Sequence, residues 1–318
     1  MASQCIETRT ELSVTMALAL ALLVFPVGLL HAEPYSSVAS FWDLGVGARP
    51  LALGEAFTGL ADDGSALFYN PAALAWISNT SAASSAEMRP AAAAHGHLTA
   101  CLRRFAFGVH YFDFGEIPQT DEFGNVIGLF SYRNCGLLAG AGISAADVPL
   151  LADMRLAGCV ALGASAKLFL TDTMEPGNGH GLSMDLSFLL RVENPWFGQP
   201  FLDCVSFGAL ARNFLATEIV YQSGHREAWQ KTASLGISLR ALERFTVSAE
   251  ARTSGSMHVG LEWTPVPVLS LRCGVKQTGI WMWSIGLGAS LDRYSLDYAL
   301  VTHPYLAWQH RATLEVSW

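Results

Sequence analysis

The chain has 318 residues, of which 51% are hydrophobic and only 14% are charged, and its formal net charge is −8. A soluble domain has about 25% charged residues, so this composition argues against an ordinary soluble protein. Lysine occurs only at Lys167, Lys231 and Lys276, and no basic stripe is present. We therefore expect no nucleic-acid partner.

The N-terminal segment has the pattern of a secretory signal. Residues 14–30 form an apolar run that is broken only by Thr15, Pro26 and Gly28. Ala32 supplies the small residue expected before a cleavage site, so we predict a signal peptide over residues 1–32. The alternative is an N-terminal membrane anchor. Beyond this segment no apolar run reaches the ~18 residues that a membrane helix needs.

The six cysteines do not form a recognisable framework. Cys5 would leave with the signal, and the remaining five are scattered without a C-x-x-C pair. We interpret them as small apolar packing residues and not as disulfide partners or zinc ligands.

Residues 33–78 differ from the rest because they are rich in Gly and Ala and contain two helix signals. Pro50 suits the first turn of a helix over residues 50–60, and Asp62-Asp63-Gly64 would end it with a turn. Asn70 is a candidate N-cap, with Pro71 at the first position of a second helix over residues 70–76.

From about residue 79 the apolar residues recur at every second position, which is the period of a β-strand. In the last eight residues Ala312, Leu314, Val316 and Trp318 share one face. The charged residues of these runs fall on the opposite face, together with Gly and Ser. We predict about fourteen strands, near residues 79–89, 94–103, 104–114, 128–143, 154–171, 181–192, 201–214, 231–241, 243–252, 255–264, 267–276, 280–291, 293–302 and 308–318.

Two features favour lipid over a buried core behind the apolar faces. Aromatic residues lie near strand ends, as in the interfacial girdles of membrane barrels. The connections also alternate between tight turns, such as residues 241–243, and long loops, such as 116–126 and 215–229. The predicted fold is all-β, a transmembrane antiparallel β-barrel of about 14 strands over residues 79–318, with a partly helical N-terminal plug inside. A soluble or periplasmic β protein is the alternative.

Residues 45–75 resemble the N-terminal hatch of FadL-type outer-membrane transporters. The segment is also similar to the PorV/PorQ branch of that superfamily, where the Gly-Ala-Arg opening and Gly-Glu-Ala occur as well. The matching elements are Gly47, Gly54, Ala56, Gly59, Asp62, Asp63, Asn70, Pro71 and Ala72.

The resemblance implies a barrel in the outer membrane of a diderm (Gram-negative-type) bacterium that takes up hydrophobic small molecules, typically long-chain fatty acids. It implies capture outside, an internal pocket and lateral exit at a kinked third strand, which here holds Gly108. The alternative for Gly108 is an inward glycine without an opening. The candidate ligand path comprises Phe57, Leu60, Phe68, Leu74, Phe107 and Gly108.

The apolar hatch residues on that path would alternatively fix the hatch to the barrel wall. The resemblance also implies basic residues in the lumen that hold a ligand carboxylate, but no motif identifies them in this sequence. The basic candidates are Lys167, Arg191, Arg212, Arg252, Arg272 and Lys276.

No catalytic motif is present. Gly45-x-Gly47 lacks a third glycine at the offset of a dinucleotide loop, and neither H-E-x-x-H nor G-x-S-x-G occurs. His95 and His97 would share one strand face as a metal pair, but no third ligand is evident. We predict no enzymatic activity, no metal and no cofactor. The partners we expect are a hydrophobic ligand and outer-membrane lipid. The alternative function is a PorV-like barrel that acts in secretion or surface attachment through a protein partner.

Overall fold

The computed structural model describes residues 38–88, 93–154, 156–174, 176–194 and 201–318. The predicted signal peptide, residues 1–32, lies outside the described residues. None of the helices in the described ranges is long and apolar enough to cross a bilayer.

Most of the described chain is in β-strands. In chain order they are β1 (Thr80–Met88), β2 (Ala94–Leu102), β3 (Phe105–Thr120), β4 (Val126–Ser144), β5 (Val160–Asp172), β6 (Gly179–Glu193), β7 (Leu202–Ala216), β8 (Ile219–Tyr221), β9 (Arg226–Glu227), β10 (Thr232–Ala241), β11 (Phe245–Arg252), β12 (Met257–Val266), β13 (Leu269–Gln277), β14 (Trp281–Leu291), β15 (Tyr294–Val301) and β16 (Gln309–Ser317).

Fourteen of these strands form one closed antiparallel barrel. Each strand from β1 to β7 and from β10 to β16 pairs with the next, β7 pairs with β10, and β1 closes the ring against β16. The short strands β8 and β9 form a hairpin that is attached to the edge of β6. The predicted fourteen-stranded barrel is thus confirmed. We call the end where β1 begins and β16 ends the near end, and the opposite end the far end.

The largest deviation from the predicted boundaries is at the β3–β4 hairpin. Residues 116–126 were expected to form a loop, but β3 continues to Thr120 and β4 starts at Val126. A register shift between Asp113 and Glu116, around Gly115 with φ of 76°, exchanges the two faces of β3. That exchange interrupts the two-residue period, which is why the continuation was not apparent in the sequence.

Two smaller deviations also concern connections. Strand β5 begins at Val160 and not near residue 154, because Ala157–Cys159 form a 3₁₀ turn, as do Ala145–Asp147. The long connection 215–229 contains the β8–β9 hairpin. In the first case a short 3₁₀ turn occupies a segment that is apolar enough to be mistaken for strand. In the second case a short hairpin occupies a segment that is polar enough to be mistaken for an open loop.

The outward face of the barrel is an apolar belt. Along the first half of β3 the outward residues Phe105, Phe107, Val109 and Tyr111 are exposed, while the inward residues between them are buried. Exposed aromatic residues lie near strand ends, among them Trp263, Trp281, Trp283, Tyr294 and Trp318. A belt of this kind around a whole barrel is far larger than the apolar patches of soluble monomers.

The N-terminal segment before β1, described from residue 38 onward and called the hatch below, lies in the lumen. Together with the inner side of the barrel wall it forms the core of the molecule. Its helices are a 3₁₀ helix at Val38–Leu44, α1 (Ala48–Ala52), α2 (Ala66–Tyr69) and a 3₁₀ helix at Pro71–Trp76. The prediction of a helix over 50–60 was wrong, because the helix ends at Ala52 and the chain then turns through positive φ at Gly54 and Glu55. Helix α1 packs on β13 to β16, and Pro71–Trp76 packs on β4 to β6.

Candidate functional site

The hatch backbone lies directly on inward glycines of the wall. A methyl group at Gly163 of β5 would overlap the backbone nitrogen of Ala72, and one at Gly208 of β7 would overlap the carbonyl of Thr58. Other inward wall glycines against hatch atoms are Gly108, Gly136, Gly140, Gly142, Gly236, Gly260, Gly274 and Gly286. The sequence shows Gly on the polar face of the strands. It did not reveal that these glycines leave room for hatch atoms to lie against the wall, where a Cβ would overlap them.

The first ion-pair cluster joins the hatch to β11 and β13. The buried carboxylate of Glu55 accepts from Nζ of Lys276 at 2.7 Å and lies 3.5 Å from Nη1 of Arg252. Burial by itself would raise the pKa of the Glu55 carboxyl, but the positive charges of Lys276 and Arg252 outweigh burial and hold this pKa well below its usual range. Glu55 therefore stays ionised inside the barrel.

Wall side chains also satisfy hatch backbone groups in the same region. Oε2 of Glu250 accepts from the backbone N–H groups of Phe57 and Thr58, at 3.1 and 2.9 Å. The hydroxyl of Ser284 accepts from the N–H of Gly54 and donates to the carbonyl of Ala52. These bonds give the irregular, buried backbone of the hatch the hydrogen-bond partners that it would otherwise lack.

A second cluster surrounds Arg49 of the hatch. Its guanidinium donates to Asp62 at 2.5 Å, to Asp63 at 2.9 Å and to Glu262 of β12 at 2.9 Å. Glu262 in turn accepts from Arg272 of β13 at 2.5 Å. The Asp-Asp pair of the hatch motif is thus held by a cation of the hatch itself, which is linked to the wall.

A third cluster lies where the hatch meets the closing strands of the barrel. The buried guanidinium of Arg311 on β16 pairs with Glu87 on β1 and donates to the carbonyls of Gly45 and Leu44. His95 of β2 contacts both Glu87 and Arg311. Within the ranges that the structure describes, no group of three or more His, Cys, Asp or Glu side chains could hold a metal ion.

Lys167 and Arg212 face the lumen on the opposite side of the barrel. Nζ of Lys167 lies 2.7 Å from Oδ1 of Asp185 and 2.7 Å from Oδ1 of Asn213. Nη1 of Arg212 lies 3.4 Å from Oδ1 of Asp43 in the hatch. Both cations therefore have a carboxylate partner within the protein.

All six basic residues that the sequence suggested have polar partners inside the barrel. The guanidinium of Arg191 donates to the hatch carbonyls of Leu60 and Ala61 and stacks on Trp76. Arg252, Arg272 and Lys276 pair with buried acids, as described above. Their role in holding a ligand carboxylate stays a prediction, and each would have to exchange an existing partner to fulfil it.

The remaining hatch-motif residues fix the course of the hatch chain. Oδ1 of Asn70 accepts from the N–H of Ala72, as predicted for an N-cap with Pro71 at the first helical position. Nδ2 of Asn70 donates to the carbonyls of Thr58 and Phe188, at 2.7 and 3.1 Å. Asn70 thereby ties two parts of the hatch to β6. Gly47, with φ of 76°, precedes α1 in a conformation that favours glycine.

The residues of the candidate ligand path fall into two groups. Four of them, Phe57, Leu60, Phe68 and Leu74, are buried in a single apolar cluster between the hatch and the wall. Phe107 instead points outward and is 52% exposed. The structure brings the first four together and does not bring Phe107 to them.

The third strand is not kinked at Gly108. The ladder continues through this residue, which is paired with Thr99 and Leu138 without a register shift, and its inward side contacts Leu67. The irregularity of β3 lies farther along, between Asp113 and Glu116. The kink that the resemblance implied at Gly108 is thus absent from this structure, because the neighbouring strands hold the backbone of β3 on both sides.

A polar cavity of about 430 Å³ opens at the near end, among the ends of β6, β7, β10, β11 and β12. It is lined by Glu193, Asp203, Arg240, Glu243, Arg244 and Glu262, among others. A smaller space of about 30 Å³ beside it reaches Leu60 and Arg191. The smaller space therefore lies beside the hatch at Leu60, next to the side chain of Arg191 that donates to the hatch carbonyls.

Comparison with known proteins shows similarity in structure but not in sequence. No family model matches the chain, and no curated protein matches it. Among solved structures, the fold is similar to that of the toluene transporter TodX of P. putida, with a TM-score of 0.55 and 13% identity over 86% of this chain and 97% of that one. It is also similar to the CymD monoaromatic hydrocarbon channel, with a TM-score of 0.55 and 10% identity over the same shares of the two chains. At these identities the similarity shows a common fold.

Proposed function

We propose that the chain is an outer-membrane channel for hydrophobic small molecules, with long-chain fatty acids among its ligands. The observation that carries the proposal is the combination of a closed barrel, an apolar outer belt and a lumen filled by a hatch. The fold likeness to a toluene transporter and a monoaromatic hydrocarbon channel supports it. The resemblance of residues 45–75 to a FadL-type hatch points in the same direction.

The location in a membrane follows from the two surfaces of the wall. A closed barrel satisfies its own backbone hydrogen bonds, so its outer side can face lipid. Here that side is apolar, whereas the lumen side carries buried charges such as Lys167 and Arg311. Together with the proposed signal peptide over residues 1–32, this arrangement supports the outer membrane of a diderm bacterium.

The hatch accounts for selectivity in this proposal. It blocks the lumen to ions and to bulk water, while its contact with the wall contains the apolar cluster around Phe57, Leu60, Phe68 and Leu74. An apolar ligand that enters this cluster gains about 25 cal/mol for each Å² of apolar surface removed from water. A polar solute has no such gain and must also give up its own hydration.

Binding to the purified protein in detergent tests the proposal. We expect saturable binding of radiolabelled oleic acid and of radiolabelled toluene, above the linear partition into protein-free micelles. Saturation with toluene but not with oleic acid would remove fatty acids from the proposal. A linear uptake of both ligands, equal to that of empty micelles, would contradict transport of hydrophobic molecules altogether.

One observation favours the second candidate function, a barrel that acts through a protein partner. The β3–β4 hairpin extends beyond the point where β2 begins at Ala94, and its tip carries the exposed apolar residues Phe123, Val126 and Ile127. A stable complex that survives purification and is lost when residues 116–126 are replaced by a Gly-Ser linker would favour this function, in combination with absent ligand binding.

A further inference from the structure

The inner faces of β4, β5 and β6 form a continuous surface that lies nearer the far end of the barrel than the near end. Gly136 on β4 is paired with Phe169 on β5, which is paired with Gly181 on β6. Trp42 of the hatch lies on Gly136, and Nε1 of Trp229 lies on Gly181, 3.1 Å from where a Cβ would be. Because adjacent strands are about 4.8 Å apart, the two indoles flank the Phe169 position within about 10 Å.

Four side chains of this surface have a buried polar atom without a partner among the described residues. They are Nε1 of Trp42, Nε1 of Trp229, Oδ1 of Asn134 and Oγ1 of Thr171, and each side chain is at most 5% exposed. Asn134 and Thr171 are paired across β4 and β5, two residues toward the far end from Gly136 and Phe169 and therefore on the same face. Leaving such an atom unpaired costs about 1–3 kcal/mol, so a ligand that offers hydrogen-bond partners to these atoms would gain this free energy on binding here.

The chemistry of these atoms restricts that partner. An indole N–H can only donate, so Trp42 and Trp229 require a hydrogen-bond acceptor. The neighbouring rings are aromatic, with the Phe41 and Phe169 centroids 5.2 Å apart and the Phe169 and Trp229 centroids 6.1 Å apart. A flat aromatic body fits such an environment better than a flexible chain does.

The charges in this part of the lumen are already balanced. Nζ of Lys167 lies 5.4 Å from the Trp42 ring and 5.8 Å from the Trp229 ring, but it is paired with Asp185. An anion added here would compete with Asp185 and leave an excess negative charge in a buried site, which is costly. A neutral acceptor avoids this cost.

We propose that this surface, the Trp42–Trp229 site, binds a neutral oxygenated aromatic molecule, such as an aryl ketone, whose oxygen accepts a hydrogen bond from the indole N–H of Trp42 or of Trp229. The inference rests on the proposed function and narrows its ligand class. Trp42 belongs to the hatch, and Trp229 belongs to the connection between β9 and β10, so a ligand that enters between the two indoles has to displace these segments and not the paired strands. Thr171, as donor or acceptor, supplies a further contact for the oxygen.

Acetophenone and ethylbenzene provide a matched pair of probes, because they have nearly the same shape and differ in the carbonyl. We expect one of the two variants, Trp42→Phe or Trp229→Phe, to weaken acetophenone binding about tenfold, the value of one good hydrogen bond, and both variants to leave ethylbenzene binding within twofold. Trp308→Phe, at an exposed position, should change neither. Thr171→Val gives a second measurement with little change in side-chain volume, and we expect a smaller loss that is again confined to acetophenone.

The outcomes separate this inference from the proposed function. If acetophenone and ethylbenzene are weakened equally by the tryptophan substitutions, or not at all, the inference is wrong while hydrophobic transport stands. Tighter binding of benzoate than of acetophenone to the unmodified protein would also overturn it, since the site would then prefer an anion. If the unmodified protein binds toluene or oleic acid but neither probe, only the inference fails. If it binds none of these four molecules, both proposals fail.

Discussion

The two sides of the barrel hold the same hatch by different means. On the side of β11 to β16, hatch groups such as Glu55 and Arg49 form ion pairs with buried charges of the wall. On the side of β4 to β6, Pro71–Trp76 has no charged residue and packs on glycines, with a hydrogen bond from the Ala72 N–H to Ser187 and a stacking contact between Trp76 and Arg191. Buried ion pairs demand a fixed geometry, and losing one partner is expensive. Apolar contacts can be exchanged for those of an apolar ligand, so we expect ligands to enter on the side of β4 to β6.

The largest effect should come from removing an acid on the charged side. Glu55→Gln leaves Lys276 without its charge partner in a buried site, which should cost about 3–5 kcal/mol. Hydrogen exchange should then show a loss of protection in residues 48–60 that exceeds the loss in residues 71–76. The exposed Glu218→Gln serves as the control. An equal loss in both segments would mean that the two sides are not held independently.

Filling a glycine position tests the other side. Gly163→Leu places a side chain where the backbone of Ala72 lies, and overpacking of this kind costs about 1–3 kcal/mol. We expect protection to fall in residues 71–76 and to remain in residues 48–60. Gly158→Leu is a matched control, because no atom lies within 4 Å of a Cβ at that position. If both leucine variants behave alike, the glycine contact is not what positions the hatch.

Acid pH should weaken the charged side selectively. The pKa of Glu55 is lowered in the folded protein, so its stabilisation is present above its unfolded pKa of about 4.3 and is lost as the pH falls toward the folded value. Each pH unit in that window removes about 1.4 kcal/mol. Exchange measured at pH 4 and pH 3 should show residues 48–60 losing protection faster than residues 71–76, and the reverse order would contradict the assignment.

The smallest effect is expected at the N-cap. Asn70→Ala removes one of the two acceptors of the Ala72 N–H, the other being Oγ of Ser187, and it removes the donor to the carbonyls of Thr58 and Phe188. Loss of a cap costs about 0.5–2 kcal/mol, which chemical denaturation in detergent can resolve. Asn125→Ala in the exposed tip of the β3–β4 hairpin should leave the midpoint unchanged. An unchanged midpoint for the Asn70 variant would show that the packing of Pro71–Trp76 on β4 to β6 is sufficient to hold this segment.

The sequence predicted the barrel and its strand number because a two-residue period is visible wherever one face is apolar. It failed where that period is interrupted, as at Gly115 in β3. It placed the strand charges on the face opposite the apolar one, but it could not show that Glu55 pairs with Lys276, since 221 positions separate them. The Trp42–Trp229 site was likewise hidden, because its members come from the hatch, three strands and a connection that are brought together only by the closed fold.

The inward wall glycines have a consequence for biogenesis. The hatch precedes β1 in the chain, and the ring is sealed where β1 meets β16. Because hatch and wall backbones touch with no room for a methyl group at Gly163 or Gly208, a finished cylinder offers no clearance for a late arrival. We therefore expect the hatch to be in position before β1 pairs with β16. A disulfide engineered to link β1 to β16 early should then trap a barrel with an empty lumen that proteases can enter.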